Sequence, residues 1–81
     1  MGIKAYVLIV TDPGQTKQVY DELSKISKVT EMNEVMGPYD IVVEIEVESL
    51  QEVPAILGER IRVIDGIQST TSLITLPESS D

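Results

Sequence analysis

Ile41-Val42-Val43-Glu44-Ile45-Glu46-Val47-Glu48 is the stretch that decides the fold. Ile41, Val43, Ile45 and Val47 alternate with Val42, Glu44, Glu46 and Glu48, and only Val42 breaks the period of two. Such a segment is a strand with one apolar face and one wet face. The turn Gly37-Pro38-Tyr39-Asp40 precedes it. Before that turn lies Val29 to Met36, Val-Thr-Glu-Met-Asn-Glu-Val-Met, in which neither alternate set is cleanly apolar. Its length and the turn that follows predict a second strand. Ala5-Tyr6-Val7-Leu8-Ile9-Val10 is a continuous apolar run closed by Thr11-Asp12-Pro13-Gly14. Six residues suit a strand, and apolarity on both faces suits a central one. Ile67 to Leu76 is β-branched and hydroxyl-rich, which predicts a final strand.

Two helical segments separate these strands. From Gln15 to Ser27, Val19, Leu23 and Ile26 recur at helical spacing, with Tyr20 beside them. Ser49-Leu50-Gln51-Glu52 has the form of a capping box, serine at N-cap and glutamate at N3. The helix after it carries Leu50, Val53, Leu57, Ile61 and Ile64 on one side. Pro54 removes a backbone donor and Gly58 weakens the helix, so an irregular start or a bend is expected. Gly66 is placed to close it. Pro77 to Asp81 is expected to be a frayed tail, leaving one domain over residues 3–76.

The order β-α-β-β-α-β is the split βαβ, or ferredoxin-like, arrangement of the α+β class. Right-handed crossovers put both helices on one face of a four-stranded antiparallel sheet. The opposite face stays uncovered, and either Ala5, Val7, Ile9 or Tyr6, Leu8, Val10 must point to it. An exposed apolar patch of this kind marks an interface, so patterning alone predicts a dimer through the open sheet face.

Composition narrows the chemistry. With 81 residues, folding buries about 63% of the extended chain's surface, enough for one modest core. There are no cysteines and no histidines. That removes disulfides, thiolate sites and the commonest general base, and no cofactor or metal is expected. Fourteen acidic against six basic residues give a net charge of -8. Lys4, Lys17, Lys25, Lys28, Arg60 and Arg62 are scattered and form no basic stripe, so direct nucleic-acid binding is not expected. No apolar run approaches a membrane span and the N-terminus has no signal-peptide pattern, so the expected compartment is the cytoplasm.

No catalytic constellation stands out. Asp40, just after the hairpin turn, could act as an acid, a base or a cation partner, or simply cap backbone donors. Glu44, Glu46 and Glu48 could hold a hard cation, or form a solvated strand face. Ser69-Thr70-Thr71-Ser72 could hold a small polar ligand, or suit a strand with one wet face. Met32 and Met36 read as core or interface filler.

Taken together, Ala5 to Ile9, the Asp12-Pro13-Gly14 turn, Val29 to Val35 closing on Gly37-Pro38-Tyr39-Asp40, and Ile64-Asp65-Gly66-Ile67-Gln68-Ser69-Thr70-Thr71 resemble the RAM domain. RAM is the amino-acid-sensing, C-terminal half of Lrp/AsnC transcription regulators. The resemblance covers residues 3 to 76. It implies sheet-to-sheet dimers that assemble into rings of eight or ten, with an effector amino acid bound at the seam between dimers. Gly37, Tyr39 and Asp40 would lie at that pocket, with Ser69, Thr70 and Thr71 of a neighbour as partners. An α-ammonium group wants a carboxylate, which Asp40 supplies, and an α-carboxylate wants N–H or hydroxyl donors. Lrp/AsnC regulators also carry an N-terminal helix-turn-helix domain, which this sequence lacks. The expected role is therefore a stand-alone, non-enzymatic sensor that acts through full-length regulators of this type. The alternatives are a purely structural oligomerisation module and a small dimeric α+β-barrel enzyme.

Overall fold

A computed structural model of the chain describes residues 2–76, so the expected frayed tail lies outside the described residues. The strands are β1 (Ile3–Thr11), β2 (Val29–Glu34), β3 (Ile41–Val47) and β4 (Ile67–Ile74). The helices are α1 (Thr16–Leu23) and α2 (Glu52–Ile56), and α2 runs directly into a π-helical turn, Leu57–Ile61. All strand pairs are antiparallel, in the order β2-β3-β1-β4. This is the expected ferredoxin-like α+β topology.

Periodicity now becomes packing. Val7 pairs with Val43, Ile9 with Ile41 and Ala5 with Ile45, and all six side chains are fully buried. They meet Val19 and Leu23 of α1, and Val53, Ile56, Leu57 and Ile61 of the second helical segment. Both helical elements therefore cover one face of the sheet. The other face presents Tyr6, Leu8 and Val10 of β1, all half-buried, with Val42 of β3 and the exposed Leu73 of β4.

The ambiguous segment, Val29 to Met36, has a physical explanation. The β2–β3 register shifts between Val29 and Glu31: Val29 pairs with Ile45, and Glu31 with Glu44. The shift puts Val29 and Met32, three residues apart, on the helix-covered face, and simple alternation is lost. Thr30 spends its hydroxyl at this irregularity, donating to the Glu44 carboxylate Oε2 at 2.7 Å. The strand stops at Glu34, short of the expected Met36. Met32 packs against the core, whereas Met36 is fully exposed and fills no part of it.

Helix boundaries also differ from expectation. Ordinary α-helix in α1 ends at Leu23 rather than Ser27. The Ser24 hydroxyl donates to the Asp21 carbonyl at 2.6 Å, competing for helical acceptors, and short i to i+3 bonds carry the chain on to Ile26. Ile26 stays buried even so. In the second segment Pro54 is the third residue of α2, where its missing N–H has no intrahelical acceptor to lose. The irregularity in this segment is the π-helical turn after α2, closed by Arg62 N–H donating to Leu57 O at 2.8 Å. Leu50 is exposed, not core, and the helical run ends at Ile61, before Ile64. Gly66 instead opens the approach to β4, where its carbonyl accepts Asp12 N–H at 2.8 Å.

The capping box is half formed. Glu52 Oε2 accepts the backbone N–H groups of Ser49 (3.0 Å) and Glu48 (2.9 Å), while Ser49 Oγ accepts Gln51 N–H rather than that of Glu52. The Ser49 bond, then the Glu48 bond, with Lys28 adding its charge at 3.5 Å, hold the Glu52 carboxyl below its usual value. A depressed carboxylate stabilises the fold above its unfolded pKa, and that contribution is lost as pH falls through the folded value. Acid denaturation followed by circular dichroism should therefore show Glu52→Gln less stable than the wild type at neutral pH, with the difference vanishing in acid.

The glycines give a second expectation. Gly66 has φ +101°, and a Cβ there would lie 2.9 Å from Gln15 Cβ and 3.0 Å from Val19 Cγ2. Gly58 is helical, with nothing within 4 Å of an added Cβ. In urea denaturation, Gly66→Ala should lose about 1–3 kcal/mol, while Gly58→Ala should gain about 0.5–1 kcal/mol.

Candidate functional site

The six residues singled out from sequence fall into two groups. Gly37, Tyr39 and Asp40 belong to the hairpin between β2 and β3. Gly37 has φ +141°, a conformation open to glycine and costly for other residues. Ser69, Thr70 and Thr71 lie on β4. Strand β1 runs between the groups: Asp40 N–H donates to Ile9 O at 2.8 Å on one side, and Ile9 pairs with Thr70 on the other. Two strand spacings separate them, about 10 Å.

The hydroxyl cluster does not act as one unit. Ser69 and Thr71 pair with Val10 and Leu8 and share their open sheet face. Thr70 pairs with the buried Ile9 and points to the helix-covered side, where its Oγ1 accepts Arg62 Nε–H at 3.3 Å. Larger hollows lie elsewhere. One of ≈ 480 Å³ sits between α1 and the π-helical turn, lined in part by Glu22, Lys25, Glu59 and Arg60. Another, of ≈ 260 Å³, lies on the open face among Tyr6, Glu31, Asn33, Val42 and Glu44. None of the six residues lines either.

Asp40 is the most constrained of them. Its backbone bonds both neighbouring segments, since Val35 N–H donates to Asp40 O at 2.9 Å. Its carboxylate Oδ2 accepts Thr11 N–H at 2.8 Å and Thr11 Oγ1–H at 3.2 Å. The β1–β4 register shifts between Val10 and Thr11, and Asp40 supplies an acceptor there. Its capping role is thus real. Oδ1 receives no hydrogen bond from the described residues and is not fully buried. One oxygen is bound within the subunit and the other has no hydrogen-bond partner among the described residues.

Sequence reasoning missed three residues here: Thr11, Thr16 and Arg62. Thr11 is 6% exposed, and its Oγ1 lies 2.6 Å from Thr16 Oγ1. No local signal marks it, because its acidic partner is 29 residues away. Glu44 and Glu46 of β3 and Glu48 just after it show no joint site. Glu44 is held by Thr30, Glu46 stands opposite Lys4, and no cluster of three or more metal-ligating side chains exists among the described residues.

Comparison with known proteins gives this geometry a family. The model of the Lrp/AsnC ligand binding domain matches residues 4–81. An uncharacterised HTH-type transcriptional regulator of Pyrococcus horikoshii, PH0140, is 38% identical over 74 residues, which are 90% of this chain and 47% of that protein. The chain thus spans about half the length of this relative. The structure of E. coli AsnC superposes with a TM-score of 0.88 at 25% identity, covering 98% of this chain and 54% of AsnC. The regulator NMB0573 of Neisseria meningitidis, solved in complex with L-Met, shares the fold at 12% identity, with a TM-score of 0.83 over 98% of this chain and 53% of that one. A ferredoxin-like sheet, a Gly-x-Tyr-Asp hairpin and a family match across nearly every residue converge on one conclusion: the chain belongs to the Lrp/AsnC ligand-binding domain family.

Proposed function

We propose that this chain is a non-enzymatic sensor of an amino acid, binding it at a seam between dimers and modulating Lrp/AsnC-type transcription regulators. The observation that carries the reading is the Asp40 carboxylate, held through Oδ2 and without a partner at Oδ1 among the described residues, in a domain of this ligand-binding family. An oriented carboxylate suits an α-ammonium group, because a charge-assisted bond gains most when its acceptor is already in place. The complex of NMB0573 with L-Met supports the same ligand class on the same fold.

The separation of the two groups within one chain supports a seam between chains. Asp40 and the hydroxyls Ser69 and Thr71 are two strands apart. A second dimer bringing Ser69, Thr70 or Thr71 against the Gly37–Asp40 hairpin would complete the pocket. The dimers themselves would form through Tyr6, Leu8, Val10, Val42 and Leu73, apolar residues on the open face. The same separation fits a purely structural oligomerisation module, so ligand binding is the deciding measurement.

Isothermal titration with each of the twenty amino acids should give heat with at least one. Asp40→Ala should weaken that binding by more than about 1 kcal/mol, roughly fivefold. Light scattering should report an assembly larger than a dimer. An assembly of that size with no heat from any amino acid would favour the structural module, and a bare dimer would remove the seam.

A further inference from the structure

We infer that Thr11 and Thr16 are positioning residues for the Asp40 carboxylate, joined to it by a one-way relay of hydrogen bonds that ties the Gly37–Asp40 hairpin to the start of α1. The inference rests on the amino-acid-binding reading of Asp40 and deepens it.

The relay follows from counting protons. An ionised carboxylate accepts hydrogen bonds and donates none. Thr11 Oγ1 lies 3.2 Å from Asp40 Oδ2 and 2.6 Å from Thr16 Oγ1. A threonine hydroxyl carries one proton. If Thr11 gives its proton to Asp40, the short contact to Thr16 is bonded only when Thr16 donates. The direction is then Thr16 O–H to Thr11 Oγ1, and Thr11 O–H to Asp40 Oδ2. Each bond polarises the next toward the anion. The Thr11 backbone N–H adds a second donor to the same oxygen at 2.8 Å.

Position makes the relay consequential. Thr16 is the first residue of α1, Thr11 the last of β1, and Asp40 the residue before β3. Three elements therefore meet in one polar chain at the sheet end that carries the hairpin. Both protein donors converge on Oδ2, so the carboxylate cannot rotate freely and Oδ1 keeps one direction. Without the relay, Asp40 retains its charge and its backbone bonds but loses part of that orientation. The loss falls on a ligand group that needs directed contact, the α-ammonium, and not on the rest of the ligand.

Two measurements on the full chain test this. The first is a mutant cycle read by thermal unfolding. Thr16→Val and Asp40→Asn are combined in the wild type and again with Thr11→Val. Thr16 and Asp40 touch only through the Thr11 hydroxyl, so their effects on Tm should be non-additive by about 4 °C or more in the wild type. They should be additive once that hydroxyl is gone. Additivity in both backgrounds overturns the relay, whatever the ligand results.

The second is titration with the twenty amino acids and, for the tightest of them, the acid lacking its α-amino group. Thr11→Val should weaken the amino acid about tenfold while moving its des-amino analogue less than twofold, and Thr11→Ser should restore the discrimination. Equal weakening of both probes means Thr11 is structural and overturns the positioning role. No heat from any amino acid with the wild-type chain overturns the binding reading and the positioning role together, while the mutant cycle still decides the relay.

Discussion

The pairing of β1 with β3 at the centre of the sheet is the constraint on which the rest of the structure depends. Ala5, Val7 and Ile9 face Ile45, Val43 and Ile41 across that pair, and none of the six retains any contact with solvent. A core of this size needs every one of them covered, so both helical elements must lie on the same side. The consequence is an asymmetric molecule. One face of β1 is sealed under α1, α2 and the π-helical turn, and the other carries Tyr6, Leu8 and Val10 with no protein above them.

The same central strand organises the polar end of the sheet. Because β1 is bonded on both edges, whatever flanks its last residues is brought to one place: Asp40 on the β3 side, and Ser69 and Thr70 on the β4 side. The pairing of β1 with β3 ends at Ile9 and Ile41, so Thr11 N–H, two residues further along the same edge, meets the Asp40 carboxylate rather than a strand partner. Capping and ligand binding are usually weighed as alternatives for a turn aspartate. Asp40 does the first with one oxygen, Oδ2, and the second is the role proposed for it.

Local irregularity elsewhere also has local causes. The π-helical turn follows a helix that begins with Pro54 in its first turn and contains Gly58 just beyond it. It ends with Arg62 reaching across to Thr70. Glu52 stabilises the start of the same segment by receiving two N–H groups that the helix cannot satisfy itself. These features place Val53, Ile56, Leu57 and Ile61 in the core despite a sequence that is poor as a continuous α-helix.

The sequence by itself determined the number, type and order of the elements, the helix-covered residues of β3, and the existence of an open sheet face. Those features rest on periodicity and turn chemistry, which act over a few residues and can be read along the chain. The Gly-x-Tyr-Asp hairpin was legible in the same way. Only the tertiary structure decided the register. It displaced Thr30 and so reconciled Val29 with Met32, split Thr70 from Ser69 and Thr71, and left Met36 in solvent. It alone joined Thr11 and Thr16 to Asp40. Thr11 meets Asp40 across 29 residues of sequence, and a contact between such distant residues depends on how strands align, which no local pattern of one strand encodes.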